Sequence, residues 1–214
     1  MDGRAVKSAI RLLVVDDHPI VRAGLATLLG KEECIEFVGG VEGADELTSF
    51  LDAHPVDVVL LDLRMPRVSG LEVLPSILAR NEAPAVIILS SFDYEEEIFR
   101  AAQLGARGYL MKDAPRAQIV EAITTVAAGG TFFPQSIAER LEKRRSRPSL
   151  SAREIDVLLM MSKGLTNKEI ASALQISQFT VRNHINHILE KLEATDRTEA
   201  VSVALQQGIL QVES

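Results

Sequence analysis

The chain of 214 residues contains no tryptophan, few aromatic residues (4%) and one cysteine, Cys34. A single cysteine excludes an intrachain disulfide framework, and the apolar neighbours of Cys34 predict a small strand residue. No apolar run approaches the roughly 18 residues that a membrane-spanning helix needs, and the N-terminus has no apolar segment typical of a signal peptide. We therefore expect a cytoplasmic protein that does not associate with membranes.

An excess of positive charge is also lacking, because the formal net charge is −7. Residues 1–133 contain 12 Lys and Arg against 20 Asp and Glu, residues 134–148 contain 5 against 2, and residues 149–214 contain 6 against 8. By charge alone, neither long segment is typical of a nucleic-acid-binding domain. The length and the 47% hydrophobic content are sufficient for two modest domains, each with its own core.

The first 130 or so residues alternate short apolar runs with helical patterns. The predicted strands are Arg11–Val15, Ile35–Gly39, Val56–Leu61, Val86–Leu89 and Gly108–Met111. The predicted helices between and after them lie near Ile20–Leu29, Asp45–Ala53, Leu71–Ala79, Glu95–Leu104 and Arg116–Ala127. Alternation of this kind predicts an α/β doubly wound five-stranded parallel sheet. We place this domain at residues 10–131, a polar and basic linker at 132–148, and a small all-α domain of four helices at 149–214.

Reactive side chains follow four of the predicted strands, where each strand ends: Asp16 with Asp17, Asp62, Ser90 and Lys112. Loops at the carboxyl ends of parallel strands meet in one crevice, so these groups should converge. Three carboxylates about 5 Å apart repel one another by roughly 3 kcal/mol per pair at an effective dielectric constant of about 20. An all-oxygen cluster of this kind favours Mg²⁺ or Mn²⁺, and a carboxylate beside such an ion can attack phosphorus.

Residues 10–131 resemble the flavodoxin-like receiver domain of two-component response regulators. The matching segments are Asp16-Asp17-His18, Asp62-Leu-Arg-Met-Pro66 with Gly70, Ser90, and Gly105-Ala-Arg-Gly-Tyr-Leu-Met-Lys-Asp113. The resemblance implies that Asp62 accepts a phosphoryl group from a sensor histidine kinase. It implies that Ser90 and Lys112 contact the phosphoryl oxygens, and that Tyr109 is the aromatic residue that changes rotamer when Ser90 moves.

The same resemblance implies a Mg²⁺ site. Its ligands would be Asp17, Asp62 and the backbone carbonyl of Arg64, with Asp16 acting through water.

The helices after Pro148 have clear predicted starts. Ser151-x-x-Glu154 and Thr166-x-x-Glu169 fit the capping box, in which each side chain satisfies a free backbone amide of the first turn. Asp196-x-x-Glu199 is a weaker version, and Ser177 is a candidate N-cap. The helix near Lys168–Leu174 is separated from the next by three residues, which predicts a helix-turn-helix.

In the second helix of this motif, near Gln178–Leu192, apolar residues recur at spacings of three and four, which predicts one buried face. These residues are Val181, Ile185, Ile188, Leu189 and Leu192. Arginine can pair with guanine and asparagine with adenine, while threonine and lysine suit phosphates. A polar helix face alone is more typical of a solvated surface.

Residues 149–210 resemble the LuxR-type DNA-binding domain. The matching segments are Leu150-Ser-Ala-Arg-Glu154, Gly164-Leu-Thr-Asn-Lys-Glu-Ile-Ala171, Thr180-Val-Arg-Asn-His184, Ile188-Leu-Glu-Lys-Leu192 and Asp196-Arg-Thr-Glu-Ala200. A receiver followed by this domain is typical of NarL/FixJ-type response regulators, which implies binding to double-stranded DNA, dimerisation on activation, and RNA polymerase as a further candidate partner. The resemblance implies that bases or grooves are contacted by Arg182, Asn183 and Asn186, with Gln178 at the exposed helix start. It implies that the DNA backbone is contacted by Lys168, Thr180 and Lys191.

Several alternatives stay open. The acidic pocket could belong to a phosphatase-like enzyme with Asp62 as nucleophile, but such enzymes usually carry an aspartate where this chain has Arg64, so we expect no enzymatic turnover. The terminal helices could instead form a protein-interaction module. The basic run Lys143–Arg147 could attract DNA or be a plain linker. Phe179 stands where LuxR-type domains often have a basic or polar residue.

Overall fold

The computed structural model describes residues 9–210. This part of the chain divides into two compact units, one comprising residues up to 93 with residues 100–138 and the other comprising residues 94–99 with residues from 139 onward. The strands are β1 Ile10–Val15, β2 Ile35–Val41, β3 Val58–Asp62, β4 Ala85–Ser90 and β5 Gly108–Met111. The helices are α1 Pro19–Leu29, α2 Ala44–Ala53, α3 Gly70–Leu78, α4 Glu95–Gln103, α5 Arg116–Ala127, α6 Gln135–Arg145, α7 Ala152–Ser162, α8 Asn167–Leu174, α9 Gln178–Leu192 and α10 Arg197–Gln206.

The five strands form one parallel sheet in the order β2-β1-β3-β4-β5, which confirms the predicted fold class. The central strands are mostly apolar because helices cover both faces of such a sheet, and Leu12–Val15 and Val58–Leu61 are fully buried. The strand order reverses between β1 and β3, where Val15 pairs with Leu61. A doubly wound sheet binds ligands at this reversal, outside the carboxyl ends of its strands.

Two features of the structure were not expected from the sequence. Cys34 lies in an exposed turn before β2, so its prediction as a strand residue is wrong. Cys34 lies inside a turn in which Ile35 N–H donates a hydrogen bond to the Glu32 carbonyl at 3.1 Å. Most of the predicted linker is helical (α6), because Ile137 and Leu141, one turn apart, are both buried.

Four helices, α7 to α10, form the apolar core of the second unit, as predicted. The capping boxes of Ser151 with Glu154 and of Thr166 with Glu169 are both formed. At the α10 start, Asp196 accepts hydrogen bonds from the amides of Thr198 and Glu199. Within the described residues, no helix combines the length and the apolar character that crossing a membrane requires.

Candidate phosphoryl-binding site and candidate nucleic-acid interface

The carboxyl ends of β1 and β3 bring three carboxylates into one cluster. Ligand atoms of Asp16, Asp17, His18 and Asp62 all lie within 4.8 Å of one another. Asp16 and Asp62 are buried, with 0% and 2% of their surface exposed. The amide of His18 fixes the Asp16 carboxylate through a 2.8 Å hydrogen bond to Oδ1. Two buried carboxylates this close require cationic partners to remain ionised.

Lys112, just after β5, supplies one such cation. Its Nζ lies 2.8 Å from Asp16 Oδ2 and 2.8 Å from Asp62 Oδ2. The side chain reaches this position because the Lys112 amide continues the β4–β5 ladder, donating to the Ser90 carbonyl at 2.8 Å. The ammonium is thus held between the carboxylates of two different strand ends, where it can also meet an oxyanion bound to Asp62.

Burial changes the acidity of both partners. Burial raises the pKa of the Asp62 carboxyl above its ordinary value, and the hydrogen bond from Lys112 offsets part of that effect. Burial acts to lower the pKa of Lys112, but its hydrogen bonds to Asp16 and Asp62 and their negative charges outweigh burial and raise that pKa. Lys112 is therefore a permanent cation at physiological pH and favours the ionised, nucleophilic form of Asp62.

The loop after Asp62 is shaped by close backbone packing. Arg64 N–H donates to Asp62 Oδ1 at 3.2 Å, and Ser69 begins α3 with a capping box to Glu72. A Cβ atom at Gly70 would lie 2.2 Å from the Asp62 carbonyl oxygen, so glycine is needed for α3 to start against this strand end. Gly70 was named among the residues that match the receiver domain, but this packing role was not predicted.

Ser90 and Tyr109 meet at the backbone of Phe92. The Ser90 hydroxyl, buried at the end of β4, accepts a hydrogen bond from Phe92 N–H at 3.1 Å. Tyr109 is fully buried and its hydroxyl donates to the Phe92 carbonyl at 2.8 Å. The guanidinium carbon of Arg64 lies 4.1 Å from the centre of the Phe92 ring. Phe92 was not predicted as a site residue, because its part in the site comes from its main chain and leaves no residue-type signal.

The residues of the cluster fit the implied Mg²⁺. Carboxylate oxygens from three aspartates are the donor set that this ion prefers. Asp16, Asp17 and Asp62 would hold it, and the expected part of the Arg64 carbonyl stays a prediction. His18 is an additional neighbour that the sequence analysis did not assign, although it directly follows Asp17. Its Nδ1 lies 2.7 Å from Asp17 Oδ1.

In the second unit, α9 buries the predicted apolar face. Val181 and Ile188 are fully buried, and Leu192 is 8% exposed. Four polar side chains predicted to contact DNA are exposed on this helix: Gln178, Arg182, Asn183 and Asn186. Lys168, on α8, is exposed as well. The helix-turn-helix thus exposes several polar side chains, most of them on α9.

Two predicted DNA-backbone contacts have other partners in the structure. Lys191 Nζ lies 2.7 Å from the buried Glu154 carboxylate and donates to the Ser149 carbonyl at 3.1 Å, so the structure gives no support to a phosphate contact there. Thr180 is half-buried at the helix start, and its hydroxyl lies 2.8 Å from that of Ser177. Its amide donates to the same Ser177 hydroxyl, which is the expected N-cap.

Much of the basic run is also engaged in ion pairs. Arg144 is 5% exposed, and its Nε lies 2.5 Å from a Glu96 carboxylate oxygen. Arg147 pairs with Glu95 at 2.6 Å. These contacts lie within the second unit, which includes residues 94–99. The ion pairs favour the interpretation of these two arginines as structural residues.

Comparison with known proteins identifies the class to which this geometry belongs. Residues 12–124 match the family described as response regulator receiver domain, and residues 148–204 match bacterial regulatory proteins of the luxR family. Over 209 residues the chain is 35% identical to the response regulator protein VraR of Staphylococcus epidermidis, covering 95% of this chain and 100% of VraR. The chain therefore belongs to the two-component response regulators with a luxR-family domain, which confirms the resemblance seen in the sequence.

Solved structures give the same assignment. The response regulator ChrA of a heme-sensing two-component system is 36% identical with a TM-score of 0.56, over 95% of this chain and 100% of ChrA. The response regulator RcsB in complex with DNA is 25% identical with a TM-score of 0.70, over 92% of this chain and 98% of RcsB.

Proposed function

We propose that this protein is a phosphorylation-controlled transcription factor. A sensor histidine kinase phosphorylates Asp62, and phosphorylation promotes dimerisation and sequence-specific binding to double-stranded DNA, through which transcription is controlled. The observation that carries the proposal is the position of Lys112 Nζ, 2.8 Å from both Asp16 and Asp62 at the strand-order reversal. RNA polymerase is a candidate partner on the promoter, and a cytoplasmic location remains our expectation.

The transfer reaction follows from the residues of the pocket. The ionised Asp62 carboxylate attacks phosphorus, a P–O bond to the carboxylate oxygen forms, and the P–N bond to the histidine of the kinase breaks. The departing imidazole takes up a proton from water. Lys112 then exchanges its contact with Asp62 for a phosphoryl oxygen, and the Ser90 hydroxyl donates to another. Mg²⁺, when bound by Asp16, Asp17 and Asp62, supplies positive charge that offsets the charge of the incoming phosphoryl group.

The same pocket favours a stable phosphoryl-aspartate over enzymatic turnover. A phosphatase of the rival class usually has a carboxylic acid two residues after the nucleophile, and Arg64 occupies that position in this chain. Its guanidinium lies over the Phe92 ring and cannot serve as a general acid. We therefore propose a switch that stores the phosphoryl group for long enough to change the protein's assembly.

DNA binding rests on the second unit. A recognition helix of a helix-turn-helix enters the major groove and contacts base edges mainly with its N-terminal residues. The exposed Arg182, Asn183 and Asn186 lie on α9, and the related RcsB has been solved in complex with DNA. A symmetric dimer would place two such helices one DNA turn, or a multiple of it, apart. The dimer then doubles the contacts of a domain that has little positive charge.

One experiment tests the phosphoacceptor and its consequence together. The protein is treated with acetyl phosphate and Mg²⁺, and intact mass, light scattering and DNA binding are measured. We expect one phosphate adduct, a larger dimer fraction and tighter DNA binding. Asp62→Asn should lose all three, whereas the matched control Asp45→Asn, at an exposed position in α2, should keep them. An adduct that persists in Asp62→Asn, or a monomer fraction unchanged by phosphorylation with and without DNA, would contradict the proposal.

A further inference from the structure

Phe179, the second residue of α9, is the most exposed large apolar side chain described in the second unit. It is 70% exposed, compared with 40% for Ile155 and 42% for Leu159. It does not belong to the apolar core to which α9 contributes Val181 and Ile188. Exposure of a single apolar residue needs no explanation by itself. The exposure of Phe179 is informative because of its position on α9.

Phe179 lies in the middle of the polar surface of α9. It precedes Arg182, Asn183 and Asn186 by three, four and seven residues, which is the spacing that places side chains on one helix face. All four are exposed. The buried Val181 and Ile188 lie on the opposite face of the helix. The Phe179 ring is therefore exposed on the same helix face as the polar side chains that we propose contact bases.

We propose that Phe179 recognises thymine by packing against its C5 methyl group in the major groove; this inference rests on the proposed DNA binding. The methyl group is the one apolar feature that a base pair presents there, and phenylalanine is among the side chains that contact it. Phe179 carries no charge or hydrogen-bonding group with which to bind a phosphate or a polar base edge. Apolar side chains that wedge between base pairs usually act from the minor groove, whereas the N-terminal residues of a recognition helix face the major groove.

Within one half-site, the side chains of α9 have different roles. Arg182 and Asn183 discriminate bases by hydrogen bonds, and Phe179, one turn nearer the N-terminus of α9, discriminates thymine from cytosine by apolar contact. Removal of one methyl group from this contact should weaken binding about fourfold, the cost of exposing one buried methyl-sized group. Removal of the methyl group from both half-sites of a dimer should weaken binding about fifteenfold, because the two free-energy costs add.

The test begins with binding sites selected from a random pool of DNA by the acetyl-phosphate-treated full-length protein. Each thymine of the selected sequence is then replaced in turn by uracil, which removes only the C5 methyl group. At one thymine position in each half-site, we expect this single replacement to weaken binding about fourfold. Failure to enrich any sequence would overturn the proposed DNA binding itself. Enrichment of a site that tolerates uracil at every thymine would overturn the role of Phe179 and leave the proposed function intact.

Variants then assign the effect to Phe179. Phe179→Ala should bind the thymine site about as weakly as the wild type binds the site with uracil in both half-sites, and should bind both DNAs equally. The matched control Leu159→Ala removes an exposed apolar side chain of α7 and should keep the full preference for thymine. A preference for thymine that persists in Phe179→Ala would contradict the inference. The inference would also be contradicted if Phe179→Ala bound DNA more weakly while replacement of thymine by uracil left wild-type binding unchanged. A side chain wedged between base pairs would give that result, because it does not need the methyl group.

Discussion

The hydroxyl of Tyr109 donates a hydrogen bond to the backbone carbonyl of Phe92 at 2.8 Å, and the N–H of the same Phe92 donates to the hydroxyl of Ser90 at 3.1 Å. One residue of the loop after β4 therefore connects the proposed phosphoryl ligand to the buried aromatic residue. If Ser90 turns its hydroxyl toward a phosphoryl oxygen on Asp62, Phe92 N–H loses its acceptor. The loop that positions the Tyr109 acceptor is then released, which gives a physical path from Asp62 to Tyr109.

Tyr109→Phe tests this path because it removes the hydroxyl and keeps the buried ring. Loss of one hydrogen bond should lower the free energy of unfolding of the first unit by about 0.5–1.5 kcal/mol. Phosphorylation of Asp62 should be retained, since Tyr109 is outside the carboxylate cluster. We expect a smaller difference in DNA affinity between the phosphorylated and unphosphorylated protein. Hydrogen exchange measures the loss of stability, mass spectrometry the phosphorylation, and DNA titration the affinity difference. An unchanged affinity difference would remove the Tyr109 hydroxyl from the switch.

Lys112→Met should make the first unit dependent on Mg²⁺ for stability. The variant leaves the buried Asp16 and Asp62 without their ammonium partner, and breaking a buried ion pair by removing one side costs about 3–5 kcal/mol. Mg²⁺ restores positive charge to the same cluster and should recover much of that loss. Hydrogen exchange of β1 and β3, with chelator and with Mg²⁺, measures it. The control Lys31→Met, at an exposed position, should not increase the response to Mg²⁺.

The sheet and the pocket could be predicted from the sequence because the patterns that indicate them are local. Apolar runs such as Val86–Leu89 end at a polar residue, and parallel strands bring those ends together regardless of the details of packing. The role of Phe92 and the pairing of Glu154 with Lys191 could not be predicted in this way. Phe92 acts through its main chain, and the pairing of Glu154 with Lys191 joins residues 37 positions apart, whose proximity depends on how α7 and α9 pack.

The helical core of the second unit should lose stability in acid because of Glu154. Burial acts to raise the pKa of Glu154, but hydrogen bonds from Lys191 and from the Ser151 backbone outweigh it, so the pKa is lower than in the unfolded chain. A depressed carboxyl pKa contributes stability that is present above the unfolded value of about 4.3 and is lost as the pH falls through the folded value. The stability that Glu154 contributes to the second unit should therefore disappear once the pH falls below the folded pKa of this carboxyl.

Glu154→Gln measures this contribution. At neutral pH the variant should open more readily in α7 and α9, by about 1–3 kcal/mol, because the Lys191 ammonium loses its buried carboxylate. The difference from the wild type should shrink as the pH falls below about 4.3. Hydrogen exchange of peptides from these helices, corrected for the intrinsic rate at each pH, gives the free energies. Glu190→Gln, an exposed carboxylate of α9, is the control. A difference that stays constant with pH would show that the charge of Glu154 is not responsible.

The dependence of DNA binding on salt should separate Lys168 from Arg144. Each phosphate contact adds about 0.9 to the slope of log affinity against log salt concentration. Lys168 is exposed on α8, so Lys168→Gln should lower the slope by about 0.9 per subunit. Arg144 is 5% exposed and paired with Glu96, so Arg144→Gln should leave the slope unchanged. The selected DNA site and full-length phosphorylated protein are used for both. A lower slope in Arg144→Gln would mean that its ion pair opens on DNA, and the basic run would then be part of the DNA-binding surface.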